Sequence, residues 1–387
     1  MRIGFDATPA VRQGGGIGRY TRELLQALYS ADPESQYRLF YASRSPIPYP
    51  LPGPLPANFH ARHLPFDDVW LARVWQRAQI PLPVETITGS IDVFHSPDFT
   101  LPPVRRGTRT LLTVHDLSFI RDPDSAAPVL RQYLNRVVPR SVARADHVLA
   151  DSFATRADLV EMYRTPPEKI FVLYSGVNAV FRPIADSATL AAVRAKYHLG
   201  ESPFILAVGT LQPRKNYVRL IQAFAQLPIT NYQLRLVIAG GQGWLYDSIF
   251  AEVERLKLQT RVVFPGFVAD ADLPALYSAA RALAYPSLYE GFGLPMLEAM
   301  ACGTPVVTST ASCLPEVAGD AALCVPPTDV EALAHALDKV VSDESLRAEL
   351  VTKGLARAKE FTWAKAAREL VEKYRALLSF PSPQSRL

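Results

Sequence analysis

The sequence predicts an α/β protein of two tandem doubly wound domains, each a parallel sheet with helices on both faces. Short runs along the chain are apolar at consecutive positions, which is typical of strands buried on both faces. Helical patterns separate these runs, and this alternation predicts right-handed crossovers between parallel strands. A single core rarely grows beyond about 250–300 residues, so a chain of 387 residues is expected to form two domains.

Six apolar runs in the first half of the chain predict the strands of the first sheet. They are Ile3–Phe5, Tyr37–Tyr41, Val93–Phe94, Leu111–Val114, Val148–Ala150 and Ile170–Leu173. The proline-rich segment Pro46–Pro56 follows the second run and predicts an extended surface loop. Six further runs predict the second sheet: Phe204–Val208, Leu234–Ala239, Val262–Phe264, Ala282–Tyr285, Val306–Val307 and Leu323–Val325.

The domain boundary is expected within Gly176–Pro183, between the two sets of strands. We assign residues 1–178 plus 363–387 to the first domain and residues 179–362 to the second. A helix predicted over Thr362–Leu378 would pack back on the first domain. Ligands of open parallel sheets bind beyond the carboxyl ends of the strands, so functional residues are expected in strand-to-helix loops, at a cleft between the domains.

Composition excludes several classes of protein. Hydrophobic residues make up 49% and charged residues 20%, which excludes general disorder, and a net charge of +4 is too small to indicate nucleic-acid binding. The three cysteines form no CxxC pair, which favours reduced thiols over disulfides or zinc. No apolar run approaches the ~18 residues of a membrane span, and the amino terminus lacks an apolar signal core. We therefore expect a cytoplasmic protein, with peripheral contact at the inner face of the membrane as a further hypothesis.

A glycine-rich loop, Gly14–Gly18, precedes a helical pattern in the first domain. Such a loop exposes backbone N–H groups of Gly15 and Gly16 to an anion at a helix amino terminus. Its spacing is not the GxGxxG dinucleotide fingerprint. A flexible turn is the alternative interpretation.

Two adjacent cations, Arg214 and Lys215, lie in the loop Gly209–Asn216, directly after the predicted strand Phe204–Val208. At the end of a parallel strand they are well placed to neutralise a diphosphate. A diphosphate leaving group gains negative charge as its bond to a sugar breaks, and fixed cations favour that transition state. The alternative is a solvated basic turn.

The most specific motif is Glu290–Met300, which follows the strand Ala282–Tyr285 and leads into a helix. Gly291 and Gly293 permit close backbone approach to a ligand. Glu290 before the helix and Glu298 inside it could accept hydrogen bonds from sugar and ribose hydroxyls. In the alternative interpretation, Glu298 is an exposed helix residue and Glu290 a cap.

His115 ends a strand of the first domain, where it could hydrogen-bond a sugar hydroxyl or an oxygen that develops charge. A purely structural histidine is the alternative.

Two Asp-x-Asp pairs, Asp122–Asp124 and Asp270–Asp272, could in principle hold a divalent metal. Because the two adjacent cations already supply neutralising charge, we predict no metal site and no required cofactor.

The segment Asp67–Ile80 predicts a helix with an apolar stripe formed by Leu71, Val74, Trp75 and Ala78. Trp70, Arg73 and Arg77 lie beside this stripe. A helix that combines tryptophan with arginine could lie against lipid headgroups. We therefore assign these three residues to an acceptor or membrane surface, with plain packing and a solvated face as the alternative.

Together with Tyr285–Ser287, Gly303–Val307 and Leu314–Val317, the second-domain motifs resemble those of retaining glycosyltransferases of family four. Glu290 and Glu298 match the two glutamates of that family, which are separated by seven residues. Gly14–Gly18 and His115 extend the resemblance more loosely to the first domain. The resemblance implies the GT-B fold of two Rossmann-like domains and transfer with retention of the anomeric configuration.

The resemblance also implies a role for each matched residue. Arg214 and Lys215 would bind the donor diphosphate, Glu290 the transferred sugar and Glu298 the ribose. Gly16 would approach phosphate or sugar, and His115 the sugar near the reacting centre. The remaining donor-binding positions are Gly15, Gly209, Gly291, the amides of Phe292, Gly293 and Leu294, and Val268, whose backbone would read the base.

The donor is expected to be a nucleotide-diphosphate sugar. The Leu211–Asn216 and Glu290–Pro295 loops most resemble those of mannosyltransferases of polysaccharide assembly, which favours GDP-mannose, with UDP-sugars next. The acceptor would be a glycan or a lipid-linked glycan, and nucleic acid is not an expected partner. A nucleotide-sugar epimerase of the same fold and a non-catalytic subunit that binds nucleotide sugar are the two alternatives.

Overall fold

A computed structural model of the protein describes residues 1–44, 46–228 and 234–379. The chain divides into two compact units. The first comprises Met1–Leu117, Gln132–Gly176 and the chain from Trp363, and the second comprises Ser118–Arg131 and Val177–Thr362. The segment Ser118–Arg131 thus groups with the second unit, although the predicted boundaries assign it to the first domain.

The first unit contains a parallel seven-stranded sheet. Its strands are β1 (Arg2–Asp6), β2 (Gln36–Ala42), β3 (Phe59–Leu64), β4 (Val93–Ser96), β5 (Arg109–Val114), β6 (His147–Ala150) and β7 (Ile170–Val172). The strand order is β3-β2-β1-β4-β5-β6-β7. All six predicted strands are present, and the segment Pro46–Pro56 contains neither helix nor strand.

The edge strand β3 was not predicted. Only its first and last residues, Phe59 and Leu64, are buried, and the four between them are exposed. Its sequence therefore lacks the consecutive apolar residues that identify the other strands of the sheet. β3 is defined by its pairing with β2, in register from Tyr37 opposite Phe59 to Ala42 opposite Leu64.

Within the described residues, eight α-helices connect or cover these strands. They are α1 (Thr8–Arg12), α2 (Gly16–Ala31), α3 (Asp68–Leu71), α4 (Glu85–Thr88), α5 (Ser118–Arg121), α6 (Pro128–Arg144), α7 (Phe153–Tyr163) and the carboxyl-terminal helix Trp363–Ser379, of which α5 and the first turn of α6 group with the second unit. The carboxyl-terminal helix packs on α2. Its Tyr374 hydroxyl lies 2.7 Å from Nδ1 of the buried His95 on β4, which ties it to the first sheet.

The second unit contains a parallel six-stranded sheet. Its strands are β8 (Phe204–Val208), β9 (Arg235–Ala239), β10 (Val262–Gly266), β11 (Ala282–Tyr285), β12 (Val306–Ser309) and β13 (Ala322–Val325), in the order β10-β9-β8-β11-β12-β13. All six strands match the prediction.

Helices cover this second sheet as well. They are α8 (Ser187–Lys196), α9 (Tyr217–Ala225), α10 (Asp247–Arg255), α11 (Leu273–Ala279), α12 (Leu294–Ala301), α13 (Leu314–Ala318), α14 (Val330–Ser342) and α15 (Glu344–Ala358). The helix Trp363–Ser379 of the first unit is numbered α16. Phe224 of α9, Leu337 of α14 and Ile238 of β9 belong to one fully buried core. Burial of each such side chain contributes about 1.5–3 kcal/mol, and this core holds the strand ends in place.

Among the helices of the described ranges, none is long and apolar enough to cross a membrane. All three cysteines are free, with Cys302 and Cys313 buried and Cys324 half-buried.

Candidate active site

The strands of the two sheets follow the same order around the first strand of each sheet. In each sheet the chain begins at an inner strand, extends to one edge and then continues on the other side of that first strand. β1 lies between β2 and β4, and β8 lies between β9 and β11. In open α/β sheets, ligands bind at the carboxyl ends of the strands where the order reverses in this way. The loops after β8 and β11 carry the strongest predicted motifs.

Arg214 and Lys215 lie in a short 3-10 helix, Pro213–Lys215, that follows β8. The next residue, Asn216, adopts a left-handed conformation with φ of 61°. Its side-chain amide donates to the carbonyl oxygens of Pro286, 3.0 Å away, and Pro327, 2.6 Å away. Asn216 therefore fastens the loop after β8 to the loop after β11.

Arg214, Lys215 and Glu290 form one compact cluster, which we call the charge cluster. The Arg214 guanidinium donates to Oε2 of Glu290 at 2.6 Å, and Nζ of Lys215 donates to Oε1 at 2.7 Å. Nζ of Lys215 also donates to the hydroxyl of Tyr285, 2.9 Å away. The side chains of Arg214, Lys215 and Glu290 are only 18%, 9% and 8% exposed. The alternative of a solvated basic turn is therefore wrong.

The electrostatics of the charge cluster favour an anionic ligand. Burial alone would raise the pKa of Glu290, but Arg214 and Lys215 outweigh burial and lower that pKa to about 2. Glu290 is therefore ionised at neutral pH. With two cations and one carboxylate, the cluster carries a net charge of +1, a favourable setting for a phosphate group.

The backbone of Glu290 is fixed from the neighbouring strand. Its N–H donates to the hydroxyl of Ser312 at 2.9 Å, and that hydroxyl donates in turn to the Glu290 carbonyl oxygen at 2.9 Å. The Cys313 thiol donates to the same carbonyl at 3.2 Å. Both residues follow β12, so three strand ends combine to position one carboxylate.

Gly209 and Gly293 are required by the backbone at their positions. Gly209 has φ of 150°, and a Cβ there would lie 3.0 Å from both Cε of Lys215 and the hydroxyl oxygen of Tyr217. Gly293 has φ of 98° and precedes α12. The first N–H groups of a helix have no partner within it, so the segment Gly291–Leu294 leads into a helix end suited to negative charge.

Glu298 lies inside α12 and is 2% exposed. Its Oε2 accepts from the hydroxyl of the buried Tyr277 at 2.9 Å. The alternative of an exposed helix residue is therefore wrong. Glu298 is held by Tyr277 of α11, whereas Glu290 is held by the two cations.

Val268 follows β10 and is 4% exposed, whereas the preceding residue, Phe267, is 64% exposed. The next amide, that of Ala269, donates to the Tyr197 hydroxyl at 3.2 Å. The same hydroxyl donates to Oδ2 of Asp272 at 2.6 Å, and Lys196 donates to that oxygen as well. Asp272 thus serves as an acceptor for neighbouring side chains.

Asp122 of the other Asp-x-Asp pair accepts from the hydroxyl of Ser125 at 2.5 Å. Within residues 1–44, 46–228 and 234–379, no three histidine, cysteine, aspartate or glutamate residues are grouped so that they could hold a metal ion.

In the first unit, the glycine loop leads into α2, with Gly15 as its N-cap. A Cβ on Gly18 would lie 1.8 Å from the carbonyl oxygen of Gln13, so Gly18 is required by close packing. A Cβ on Gly15 or Gly16 would meet no protein atom within 4 Å. Packing within the protein therefore does not require glycine at these two positions, whereas close approach of a ligand would require it.

His115 follows β5 and is 7% exposed. Its Nδ1 lies 2.7 Å from Oδ2 of Asp151, and its Nε2 lies 2.8 Å from the Pro97 carbonyl oxygen. Burial alone would lower the pKa of His115, but the charge and hydrogen bond of Asp151 raise it to about 9. The ring of Tyr20 packs edge-on against the imidazole, with centroids 4.9 Å apart.

The segment Asp67–Ile80, predicted to form one helix, contains two short helices of different types. Residues Asp68–Leu71 are α-helical, but Ala72–Arg77 form a π-helix, which changes the spacing of the stripe. Of the predicted stripe, Trp75 is buried, whereas Ala78 is exposed. Trp70, Arg73 and Arg77 are exposed, and the Arg73 guanidinium lies over the Trp70 ring at 5.0 Å.

Sequence reasoning missed several residues that build the site. Asp151, Tyr277 and Ser312 each hold a predicted residue through a side chain that is distant in sequence. Asp151 directly follows β6, and position after a buried strand is the one signal that could have identified it. Tyr277 lies within a helix and gives no comparable signal.

Two family models match the chain. Residues 192–357 match the model of glycosyl transferases group 1, and residues 14–181 match that of glycosyltransferase family 4. An O-antigen chain mannosyltransferase B from Escherichia coli is 32% identical over 384 residues, which cover 97% of this chain and 100% of that protein. A D-inositol 3-phosphate glycosyltransferase from Salinispora arenicola is 29% identical and covers 97% of this chain, with 90% of that protein matched.

Solved structures share the fold. Sucrose-phosphate synthase from Thermosynechococcus elongatus has a TM-score of 0.76 at 23% identity, covering 98% of this chain and 99% of that one. Anabaena Alr3699/HepE in complex with UDP and glucose has a TM-score of 0.69 at 20% identity, covering 97% and 100%. The fold is therefore GT-B, with two Rossmann-like sheets. From the family models and the full-length relative, the chain belongs to the group 1, family 4 glycosyltransferases and is a glycosyltransferase enzyme.

Proposed function

We propose that the protein is a retaining mannosyltransferase that transfers mannose from GDP-mannose to a glycan or a lipid-linked glycan without a metal ion. The observation that carries this proposal is the charge cluster, where the buried Lys215 and the half-buried Arg214 converge on one ionised carboxylate at the point where the strand order reverses. The full-length relative named as an O-antigen chain mannosyltransferase supports the choice of mannose.

In the proposed reaction, an acceptor hydroxyl attacks the anomeric carbon on the face from which the diphosphate departs. The new glycosidic bond forms, the bond between the anomeric carbon and the phosphate oxygen breaks, and the hydroxyl proton passes to the leaving phosphate. Arg214 and Lys215 would bind the diphosphate and stabilise its developing charge. Glu290 would accept hydrogen bonds from hydroxyls of the transferred sugar, with the amides of Phe292, Gly293 and Leu294 nearby.

Recognition of the nucleoside would fall to Glu298 and Val268. A buried carboxylate already oriented by Tyr277 can accept two hydrogen bonds from vicinal ribose hydroxyls without reorganising. The Val268 backbone would read the base, and Gly15, Gly16 and Gly209 would leave room for phosphate and sugar.

The test begins with a panel of nucleotide sugars, with and without EDTA, and an acceptor extract of oligomannose glycans. We expect GDP release and a mannosylated product from GDP-mannose, at the same rate in EDTA. Product from UDP-sugars alone would reject the choice of donor, and a strict metal requirement would reject metal independence. Lys215→Met should abolish product, with Lys257→Met, a change at an exposed lysine, as its control.

The alternative of an epimerase gives a different product from the same panel. An epimerase would convert the donor sugar in the absence of any acceptor, whereas the proposed transferase would leave the sugar configuration unchanged. Nuclear magnetic resonance of the donor alone separates the two functions. A non-catalytic subunit would bind the nucleotide sugar and leave both the donor and the acceptor unchanged.

A membrane-bound acceptor is supported by one exposed surface of the first unit. Val69, Trp70, Ile80 and Leu82 are 43–50% exposed, and Arg73 and Arg77 lie among them. Apolar side chains that could enter the interface, next to cations that attract anionic headgroups, are typical of peripheral membrane contact. We therefore extend the proposal to contact with the inner face of the membrane.

Liposome sedimentation at low salt tests this extension. We expect binding to vesicles with 30% phosphatidylglycerol and its loss in the variant Trp70→Ser/Arg73→Ser/Arg77→Ser. The matched control is Arg106→Ser/Lys359→Ser, which removes two exposed cations elsewhere and should still bind. Equal binding by all three proteins, or none by the wild type, would overturn the membrane contact.

A further inference from the structure

The two ring nitrogens of His115 both face hydrogen-bond acceptors. The Pro97 carbonyl oxygen, 2.8 Å from Nε2, can only accept a hydrogen bond. Asp151, whose Oδ2 lies 2.7 Å from Nδ1, accepts as well when it is ionised. Only an imidazole with N–H groups at both nitrogens satisfies two such partners, and that species is the imidazolium cation.

The charged groups around the ring favour this cation. Asp151 approaches from the end of β6. Asp98, from the turn after β4, interacts electrostatically with His115, and the His115 charge opposes the rise that burial causes in the pKa of Asp98. The buried His95 on β4 also interacts electrostatically with His115, and burial together with the His115 charge lowers the pKa of His95 to about 3, so that His95 is neutral. Two aromatic rings pack edge-on against the imidazole: Tyr20 from α2, and Phe99 from the same turn as Asp98, the latter with its ring centroid 5.7 Å from that of His115. Burial raises the pKa of Asp151 as well, and the charge and hydrogen bond of His115 oppose that rise. Because each ion of the pair stabilises the other, the negative field of the two carboxylates holds the proton on the ring.

The hydrogen bonds also limit what His115 can do. Its position at the carboxyl end of β5 and its raised pKa both suit a functional role. To donate to a substrate or take up a proton, however, the ring would have to break one of two short bonds in a buried site, and a buried group left without its partner is costly. A fixed charge requires no such reorganisation.

We infer that Asp151 is a positioning residue of the transfer reaction, which keeps His115 as a permanent imidazolium that acts on the bound substrates through its charge. His115 then neither gives nor takes a proton during transfer. This inference rests on the proposed function for its kinetic part, whereas the protonation of the ring can be measured on the protein alone.

The first measurement is of the ring itself. We expect nitrogen-15 spectra of histidine-labelled protein to show both His115 nitrogens protonated from pH 6 to 8, with the signals assigned by their loss in His115→Gln. In Asp151→Asn, the ring should become neutral within that range. A neutral His115 in the wild-type protein at pH 7.5, with the proton on Asp151 instead, would overturn the inference whether or not any transfer is detected.

The second measurement is of the pH profile of transfer. We expect kcat of the wild type to be flat between pH 6.5 and 8, and kcat of Asp151→Asn to fall at least tenfold over that range with little change in KM for the nucleotide sugar. Asp146→Asn is the matched control, because Asp146 accepts from Thr110 and pairs with Arg109 near the opposite ends of the strands. It should lower stability without changing the profile. A flat profile for Asp151→Asn would overturn the inference, and no transfer by the wild type from any donor would reject the proposed function instead.

Discussion

At the scale of single residues, the charge cluster is the feature on which the proposed chemistry depends most. Glu290 compensates the charge of the buried Lys215 and of the half-buried Arg214. Removal of one partner from a buried ion pair leaves uncompensated charge that costs about 3–5 kcal/mol. The same arrangement prepares the site for a ligand, because a diphosphate can take over part of the compensation. We therefore expect stability and ligand binding to be linked at this one carboxylate.

Glu290→Gln tests this link. We expect the variant to lose about 3 kcal/mol of unfolding free energy and to regain part of it when a nucleoside diphosphate supplies the missing negative charge. Urea titrations with and without GDP or UDP measure both effects. Glu344→Gln is the control, because its carboxylate is 69% exposed in its ion pairs and should cost below about 1 kcal/mol. A loss in Glu290→Gln no larger than that of the control would contradict the linked roles.

His115 makes stability depend on pH in a defined direction. Its folded pKa of about 9 lies above the unfolded value near 6.5. A raised pKa stabilises the folded state fully below the unfolded pKa, and the contribution is lost as pH rises through the folded pKa. Between pH 6.5 and 9 the wild type should lose on the order of 3 kcal/mol more than His115→Gln. Parallel stability curves for the two proteins would be inconsistent with this pKa.

At the scale of elements, the start of α2 separates glycines required by packing from glycines that leave space. Gly18 is in close contact with Gln13, whereas Gly15 and Gly16 face open space. We expect Gly18→Ala to cost about 1–3 kcal/mol through overpacking. Gly16→Ala should leave stability unchanged yet lower kcat/KM if a ligand approaches there. Thermal denaturation and transfer assays of the two variants distinguish these cases, and a stable, fully active Gly16→Ala would remove Gly16 from the site.

The elements also show how far the sequence alone could reach. Of the thirteen strands in the described part of the chain, twelve could be predicted, because a run of consecutive apolar residues is typical of a strand buried on both faces. The edge strand β3 could not, since its pairing with β2 depends on backbone hydrogen bonds that leave no apolar pattern. In the site, Arg214, Lys215 and Glu290 could be located by their positions after strands. Their mutual bonds, and the pairing of Glu298 with Tyr277, arise from contacts between distant segments and could not be predicted.

At the scale of the whole molecule, the division into two units allows the proposal to be tested by measuring which unit the nucleotide protects. A ligand that binds only the folded state slows exchange of the amides whose opening would release it. The charge cluster, Glu298 and Val268 all belong to the second unit. The donor should therefore protect peptides of that unit, and the strongest protection should lie in the loops after β8 and β11.

Hydrogen–deuterium exchange with saturating GDP or UDP measures this pattern. We expect slower exchange at Gly209–Asn216 and Glu290–Ala301, with no effect at the amino ends of the strands, for example at Phe204 and Arg281. At a ligand concentration of about 100 times Kd, protection should approach 2.7 kcal/mol, and Lys215→Met should abolish it while Lys257→Met keeps it. Protection confined to peptides of the first unit would mean that the nucleotide binds elsewhere, and the charge cluster would then lose its proposed role.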